Sequence, residues 1–246
     1  MALPQRYDAI GHGYADYRRP DPRIAAYIWA AVGAASTIVN VGAGAGSYED
    51  PSRTMAAVEP ARTMIAQRPS DAAPAVVATA EHLPFADASF DVAMALLTVH
   101  HWGDLRQGLS EMRRVARRQV VFTFDPALHD SLWIFAEYVP GIIGMSDTAP
   151  LEAVMAGLGT DRVKVIPVPA DCSDGFITAY WQRPDQYLIP GVRAATSGFS
   201  LLPHNQVETG MDALRHDLDS GAWRRRHGDL LTLTELDVGL RLVIAG

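Results

Sequence analysis

Cysteine is almost absent from this sequence, since Cys172 is the single one among 246 residues. An internal disulfide is therefore excluded, and a lone thiol without a CxxC partner is a poor basis for a metal site. No apolar run approaches the roughly 20 residues of a membrane span. The first residues also lack the apolar stretch of a secretory signal. These absences predict a cytoplasmic protein that has no bound metal and no membrane contact.

Basic residues are scarce as well. Lys and Arg number 21 against 28 Asp and Glu, which gives a formal net charge of −7 at pH 7. Proteins that hold DNA or RNA through phosphates usually present a basic surface. The one dense basic run, 224–227, is flanked by acidic residues and is expected to be a solvated face. We therefore expect a small-molecule substrate and no nucleic acid partner.

The first half of the chain alternates short apolar segments with helical patterns. The predicted strands are 37–41, 55–59, 75–79, 90–97 and 119–124. A helix is predicted over 21–34, where Asp21 and Pro22 open an apolar helical pattern that stops at Gly33, and another over 104–115. Strands that alternate with helices pair in parallel, with both faces of the sheet covered. The pattern predicts a Rossmann-like, doubly wound α/β fold.

The second half departs from this alternation. Residues 127–160 have a helical and aromatic pattern, 163–168 is a sixth strand, and the last strand, 236–245, is expected to run antiparallel to the sixth. We predict one domain with a mostly parallel seven-stranded sheet, an antiparallel last strand and a helical cap. Its predicted parts are the N-terminal helices 1–34, the core 36–126, the cap insertions 127–160 and 173–235, and the final strands 162–171 and 236–245.

A glycine loop, Gly42-Ala43-Gly44-Ala45-Gly46, follows the first strand. Glycines let the backbone turn sharply and approach a ligand closely, but such a triplet is also found in tight turns that bind nothing. Glu59 ends the next strand, where a carboxylate can accept hydrogen bonds from both hydroxyls of an adenosine ribose. That geometry serves NAD as well as S-adenosylmethionine.

Two details favour S-adenosylmethionine over a dinucleotide. The glycine spacing is GxGxG, whereas dinucleotide-binding proteins have GxGxxG. The next segment, 47–53, is polar and contains Pro51, so it is a poor helix start, and a pyrophosphate needs a helix amino end. An NAD(P)-dependent oxidoreductase remains the alternative.

Five blocks, in order along 39–115, resemble the class I S-adenosylmethionine-dependent methyltransferases. They are VNVGAGAG at 39–46, VEP at 58–60, AEHLPF at 80–85 with SFD at 89–91, TVHHW at 98–102, and EMRRV at 111–115. The closest resemblance is to the type 11 group, which includes quinone-ring C-methyltransferases and many tailoring enzymes of natural-product pathways. It implies methyl transfer to a small molecule, with S-adenosylhomocysteine as product.

The resemblance also implies which residues bind the cofactor. They are Gly42, Ala43 and Gly44 at the methionine moiety, Glu59 at the ribose, Pro60 and Met64 near the adenine, Ala80 and Glu81 at the adenine edge, and Leu96 and Leu97 in the pocket floor. Residues 7–20 look like the family's lid, in which Tyr14 would cover the cofactor and Arg19 would reach its carboxylate. The alternative for this segment is a surface helix whose tyrosines pack on the sheet.

The sequence departs from the family pattern in three places. Asn40 stands where the motif usually has Asp, so a carboxylate near the methionine ammonium is lost, although Asn can still accept a hydrogen bond. The helix after the glycines is expected to be shortened to about one turn. Thr79 replaces the usual acid before Ala80, which leaves recognition of the adenine amino group to a backbone group or to Glu81.

His100 and His101 follow the fourth strand and are the candidate general bases. Methyl transfer from a sulfonium is an in-line displacement, and a base is needed only if the acceptor must lose a proton. Histidine suits that task near neutral pH. Alternatively, one or both cap the next helix or pack under Trp102. On an extended segment, adjacent side chains cannot both point at the acceptor.

The cap supplies a dense set of aromatic residues, which either line a site for a flat or apolar acceptor or form the core of the cap itself. They are Trp133, Phe135, Tyr138, Phe176, Tyr180, Trp181 and Tyr187. The short acidic turn 171–174 is typical of a helix-capping loop, so no metal is predicted. A catalytically silent protein that binds S-adenosylmethionine and regulates or scaffolds another protein is a further alternative. Methylation of RNA is disfavoured by the acidic balance.

Overall fold

The computed structural model describes residues 14–142, 149–196 and 198–246, with only the backbone given for Tyr14, Ala15 and Asp130. Within this part, the strands in chain order are β1 (Ile38–Val41), β2 (Thr54–Val58), β3 (Ala75–Val76), β4 (Phe90–Leu96), β5 (Ala116–Phe124), β6 (Val163–Val165), β7 (Val168–Pro169), β8 (Glu235–Leu236) and β9 (Leu240–Ala245). Seven of these strands form one sheet in the order β3-β2-β1-β4-β5-β9-β6, while β7 and β8 pair separately.

The sheet is parallel from β3 to β5 and antiparallel at its other edge. β9 lies between β5 and β6 and runs antiparallel to both, with Val243 opposite Val121 on one side and Val163 on the other. All four residues of β1 are buried, as expected for a central strand that is covered on both faces. The predicted fold, a mostly parallel seven-stranded sheet with an antiparallel last strand, is confirmed.

Three predicted strands are shorter than expected. The predicted strand 236–245 is divided into β8, which pairs with β7, and β9, which joins the main sheet. The predicted strand 75–79 is reduced to the edge strand β3, since only two of its residues pair with β2. The predicted strand 163–168 is divided into β6 and β7. Pro167 stands between these pieces and, because proline has no N–H, it cannot continue the hydrogen-bond ladder.

The helices that cover the sheet begin and end at the residues that the sequence indicated. Helix α2 (Pro22–Val32) follows the short helix α1 (Tyr14–Tyr17); Asp21 caps its start and Gly33, with φ of 64°, ends it. After α3 (Arg62–Ile65), helix α4 (Leu105–Val115) is capped by Asp104, whose carboxylate accepts a hydrogen bond from the Gln107 amide. Both caps supply an acceptor that the first turn of a helix otherwise lacks.

Between β1 and β2 the chain forms turns and no helix over 42–53. The expected single helical turn after the glycines was therefore wrong. Gly46 and Tyr48 both have positive φ, 88° and 62°, and Pro51 interrupts the segment, so helical hydrogen bonding cannot propagate.

The cap consists of short helical pieces. They are 3₁₀ turns at Pro126–Ser131, Pro184–Leu188, Phe199–Leu201 and Gly228–Thr232, a π-helical turn at Ile134–Tyr138, and helices α5 (Leu151–Leu158), α6 (Pro190–Ala194), α7 (His204–Asp219) and α8 (Ala222–His227). No helix among the described residues is long and apolar enough to cross a membrane.

The cap aromatics form the core of the cap. All seven that the sequence singled out are buried. The Trp133 ring lies 5.3 Å from that of Trp223 and 5.6 Å from that of Tyr187, both edge to face. The same apolar core includes Phe122 and Leu240 of the sheet. These aromatics therefore join the cap to the sheet.

Candidate functional site

A cavity of about 540 Å³ lies at the carboxyl ends of β1, β2 and β4. Its volume is within the usual range for small-molecule sites, about 300–1,000 Å³. Most of the predicted site residues line it, namely Gly42, Ala43, Gly44, Glu59, Pro60, Met64, Ala80, Glu81, Leu96, Leu97 and His101. Arg19 is exposed, and neither it nor His100 belongs to the cavity wall. The side chain of Tyr14 lies outside the described residues.

The glycine loop forms a cradle at one side of the cavity. Gly42 has φ of 71°, and a Cβ at this residue would lie 2.1 Å from Oγ1 of Thr98. The amides of Gly42 and Ala43 both donate to the carbonyl of Val58, at 2.8 and 3.0 Å, which holds the loop against β2. Only glycine fits this close approach and positive φ, so the loop passes the cavity without filling it.

Glu59 is a buried carboxylate, 7% exposed, that is oriented by the backbone. Its Oε2 accepts from the Gly44 amide at 2.8 Å, and its Oε1 accepts from the Ala61 amide at 2.9 Å. A carboxylate has about four lone-pair sites. The two amide bonds hold the carboxylate in the cavity wall, where its oxygens can accept from hydroxyls of a ligand.

Asn40 is oriented by an acidic neighbour. Its Nδ2 donates to Oε1 of Glu49 at 2.9 Å, and Glu49 forms an ion pair of 2.6 Å with Arg68. The two charged side chains are 2% and 5% exposed. Because a carboxylate only accepts, it fixes which end of the amide is the donor. Oδ1 of Asn40 is buried and has no hydrogen-bond partner among the described residues, and Asn40 lines the cavity.

The two histidines lie on a 3₁₀ turn, Val99–His101, and not on an extended segment as expected. Leu97, with φ of 54°, bends the chain into this turn after β4. The ring centroids of His100 and His101 are 3.9 Å apart, and His100 packs edge to face on Phe124 at 6.0 Å. His101 reaches the cavity wall, whereas His100 packs behind it.

The electrostatics of His100 differ from those of an exposed histidine. Burial, together with the nearby charges of Arg18 and His129, lowers its pKa to about 4. Its Nδ1 is buried without a hydrogen-bond partner. His100 is therefore neutral at neutral pH and a weak base.

Glu81 lines the cavity but also supports a helix. Its Oε1 accepts from the amide of Asp104, the cap of α4, at 3.0 Å. Burial raises the pKa of Glu81, and hydrogen bonds from the Asp104 amide and from Thr79 outweigh that effect and lower it. One oxygen of this carboxylate is thus engaged by the protein.

Sequence reasoning missed several residues of the cavity wall, among them Arg18, Tyr48, Thr98 and Trp102. Arg18 was passed over for its neighbour Arg19, because nothing in the sequence distinguishes two adjacent arginines that leave a short helix. Tyr48 carries no sequence signal either, since its position depends on a positive φ in an irregular turn.

The described residues contain no group of three or more His, Cys, Asp or Glu side chains arranged to hold a metal ion. Cys172 is buried, and its Sγ lies 3.6 Å from the carbonyl oxygen of Asp174. Burial raises the pKa of this thiol to about 12, so it is protonated at neutral pH.

Solved structures with similar folds include two of known chemistry at low identity. Geranyl diphosphate C-methyltransferase from Streptomyces coelicolor, solved with S-adenosyl-L-homocysteine, is 15% identical with a TM-score of 0.50, and the match covers 91% of this chain and 78% of that one. The [4+2]-cyclase SpnF is 11% identical with a TM-score of 0.55, over 100% and 98% of the two chains. These two likenesses concern the fold alone.

A stronger match identifies the family. A protein assigned as a methyltransferase of an antibiotic biosynthesis pathway in Anabaena variabilis is 31% identical over 94% of this chain and 99% of that one, with a TM-score of 0.85. The curated proteins give no match. The family model of the type 11 methyltransferase domain matches residues 39–124, which include the glycine loop, Glu59 and the histidine turn. The chain belongs to the class I S-adenosylmethionine-dependent methyltransferases.

Proposed function

We propose that this protein transfers a methyl group from S-adenosylmethionine to a small-molecule acceptor, with His101 as the general base. The observation that carries the proposal is the shared cavity, in which the glycine cradle, Glu59, Asn40 and His101 line one wall. The similarity to the Anabaena variabilis protein supports a role in secondary metabolism.

The polar groups of the cavity wall match those of S-adenosylmethionine. Glu59 offers carboxylate oxygens to the two hydroxyls of the ribose, and the partnerless Oδ1 of Asn40 offers an acceptor to the ammonium group. Arg18 lines the cavity, Asp174 holds its guanidinium through Nε and Nη2, and we assign the donor's carboxylate to this guanidinium. The adenine would lie near Pro60, Met64 and Ala80.

The chemistry requires little beyond alignment and a place for a proton. The bound sulfonium supplies a methyl group that is already activated for displacement. The protein holds the reactants in line and excludes water, which accounts for much of the rate in such reactions. His101 accepts the proton that the acceptor loses, while His100 packs against its ring and keeps the turn in place.

A dinucleotide fits the site less well. A pyrophosphate binds at the amino end of a helix, where unpaired N–H groups point at the phosphates. Residues 42–53 form turns here, and the amides of Gly42, Ala43 and Gly44 already donate to Val58 and Glu59. This disfavours an NAD(P)-dependent oxidoreductase.

Ligand binding separates these functions. S-adenosylhomocysteine at about 100 times its Kd is expected to stabilise the protein by roughly 2.7 kcal/mol, which a thermal or urea melt detects, and NADH is expected to have no effect. Stabilisation by NADH alone would overturn the proposal. Transfer is then measured with methyl-labelled S-adenosylmethionine and a panel of a catechol, a naphthoquinol, an aliphatic amine and a β-ketoester. Binding without release of S-adenosylhomocysteine for any acceptor would instead favour a silent binding protein.

The base is tested with His101→Gln and, as its matched control, His100→Gln. We expect His101→Gln to lower kcat by about 10²–10⁴ with unchanged affinity for S-adenosylhomocysteine, because a positioned base contributes that much to the rate. His100→Gln should lower kcat much less. Wild-type turnover in both variants would exclude a histidine base.

A further inference from the structure

The N-terminal arm is docked on a loop of the cap beside the cofactor cavity. The arm, 17–21, leads from α1 into α2, and the loop, 171–175, follows β7. Their backbones pair. The amide of Gly175 donates to the carbonyl of Tyr17 at 3.0 Å, and the backbones of Arg18 and Asp174 form an isolated antiparallel β-bridge. A Cβ on Gly175 would lie 2.7 Å from that carbonyl oxygen, so the approach requires glycine.

Asp174 connects two side chains of the cavity wall. It is 1% exposed, and its Oδ1 accepts from Nε of Arg18 at 2.6 Å. Its Oδ2 accepts from the hydroxyl of Tyr48 at 2.9 Å. Arg18 comes from the arm and Tyr48 from the turn after the glycine loop, and both line the cavity. One buried carboxylate of the cap thus fixes cavity residues from two other segments.

The hydroxyl of Tyr48 is held as a donor to Asp174. Burial and the carboxylate raise the pKa of Tyr48 well above its usual value, so the hydroxyl remains protonated. The same oxygen accepts from the amide of Asp21 at 3.3 Å, which leaves its hydrogen for Asp174. The ring of Tyr48 is buried and packs edge to face on Phe122, with centroids 6.4 Å apart, so packing and the hydroxyl's bonds together fix its position.

We propose that Asp174 is a positioning residue of the cofactor site, which sets the affinity for S-adenosylmethionine by holding Arg18 and Tyr48 in the cavity wall. This inference rests on the proposed function, in which Arg18 contacts the donor's carboxylate. Charge-assisted hydrogen bonds that the guanidinium donates to a buried carboxylate keep it in one orientation before the ligand arrives, which lowers the cost of ordering it on binding. By linkage, the bound donor must stabilise the docking of the cap loop on the arm to the same extent.

A second buried carboxylate of the same contact provides the matched control. Asp21 is 0% exposed and accepts from the amide of Ser173 at 3.1 Å, so it also joins the arm to the loop. Its other partners are the hydroxyl of Ser173, at 3.4 Å, and the amide and guanidinium of Arg23, and its side chain touches neither Arg18 nor Tyr48 in the hydrogen bonds described. An asparagine in place of Asp21 would still cap α2.

Calorimetric titration with S-adenosylhomocysteine tests the role of Asp174. We expect Asp174→Asn to raise Kd at least about tenfold, and Asp21→Asn to lower the melting temperature with Kd within about twofold of wild type. In the Arg18→Met background, adding Asp174→Asn should raise Kd by a smaller factor than it does in the wild-type background, because the part of its effect that passes through Arg18 is already lost while the part through Tyr48 remains. Tyr48→Phe removes one hydroxyl and should raise Kd severalfold. It tests the inference independently, so the inference can still be tested if Asp174→Asn fails to fold.

Several results would overturn the inference. Wild-type Kd in Asp174→Asn, or equal weakening by Asp21→Asn, would show that Asp174 serves the fold alone. Wild-type Kd in Tyr48→Phe would show that Asp174 does not act through Tyr48, and full additivity with Arg18→Met would show that it does not act through Arg18; either result would overturn the inference as stated. If the wild-type protein itself did not bind S-adenosylhomocysteine, the proposed function would fail together with the inference. The two failures are thus distinguished by the wild-type titration.

Discussion

At the scale of single residues, Asn40 illustrates how a neighbour determines the meaning of a substitution. The resemblance to the family places Asp at this position, and a carboxylate there would suit the ammonium of the methyl donor. In this structure Glu49 lies 2.9 Å from the Asn40 amide and is paired with Arg68. The negative charge is therefore carried by Glu49, behind Asn40, and Asn40 itself presents a neutral hydrogen-bond acceptor to the cavity.

This arrangement predicts that Asn40→Asp destabilises the protein, although it restores the residue typical of the family. Two carboxylates would lie within hydrogen-bond distance in a buried site that contains one cation, Arg68, among the residues described. Repulsion and burial of the extra charge should lower the free energy of unfolding by about 2 kcal/mol near neutral pH. Urea unfolding of wild type and variant measures this change.

Glu49→Gln provides the control for that experiment. Added to Asn40→Asp, it restores the net charge of the pair, and the amide of the introduced glutamine can donate to the new carboxylate. The double variant should regain at least about half of the lost stability, because the two sites are in direct contact and their effects are not additive. A single Asn40→Asp variant as stable as wild type would contradict the explanation.

At the scale of elements, the 3₁₀ turn after β4 places one histidine in the cavity and one behind it. The two rings pack on each other, with centroids 3.9 Å apart, but only His101 lines the cavity, so the pair divides into a cavity group and a packing group. The packing group, His100, rests on Phe124 of β5, and its burial lowers its pKa to about 4. The turn is thus anchored by a histidine that must remain neutral.

This burial makes the stability of the protein depend on pH. The unfolded chain binds a proton at His100 near pH 6.5, whereas the folded protein binds it only near pH 4. The contribution of His100 to the free energy of unfolding is therefore at its full value above about pH 6.5, and it declines as the pH falls towards 4. Between about pH 7.5 and pH 5, the loss should reach about 2 kcal/mol.

Urea unfolding at the two pH values checks this expectation. His100→Gln should abolish most of the difference between them, because the titrating group is gone. The matched control is His82→Gln, which removes an exposed histidine and should leave the pH dependence as in wild type. An unchanged pH dependence in His100→Gln would assign the effect to other groups.

At the scale of the whole molecule, the features that the sequence predicts are those that depend on local pattern. Apolar runs indicate the strands, and the carboxyl ends of parallel strands meet at one edge, so Gly42 and Glu59 could be placed in one site before the structure was considered. The family blocks add the residues near the adenine. Up to residue 124 the order of the strands agrees with the pattern, whereas the turns that follow β1 and β4 do not.

What the sequence does not predict depends on contacts between distant segments. Arg18 and Asp174 lie 156 residues apart and meet only because the cap folds back on the arm. The choice of Arg18 over Arg19 is decided by that contact, and the orientation of Asn40 is decided by Glu49. Such side chains have no periodicity of their own, so no pattern reveals their partners.

The continuous core leads to a last prediction, that cap and sheet unfold together as one domain. The indole of Trp133 donates to the carbonyl of Trp181 at 2.8 Å, and that of Trp181 donates to Val168 at 3.1 Å, which links the cap to the segment beside the sheet. With Trp29 and Trp102 changed to Phe, fluorescence reports only the three tryptophans of the cap, whereas far-UV circular dichroism reports the whole chain. In urea the two signals should give the same midpoint and the same m value, because a shared core cannot be lost in halves. An earlier transition in fluorescence alone would mean that the cap opens on a sheet that remains folded, and the prediction of a single domain would then be wrong.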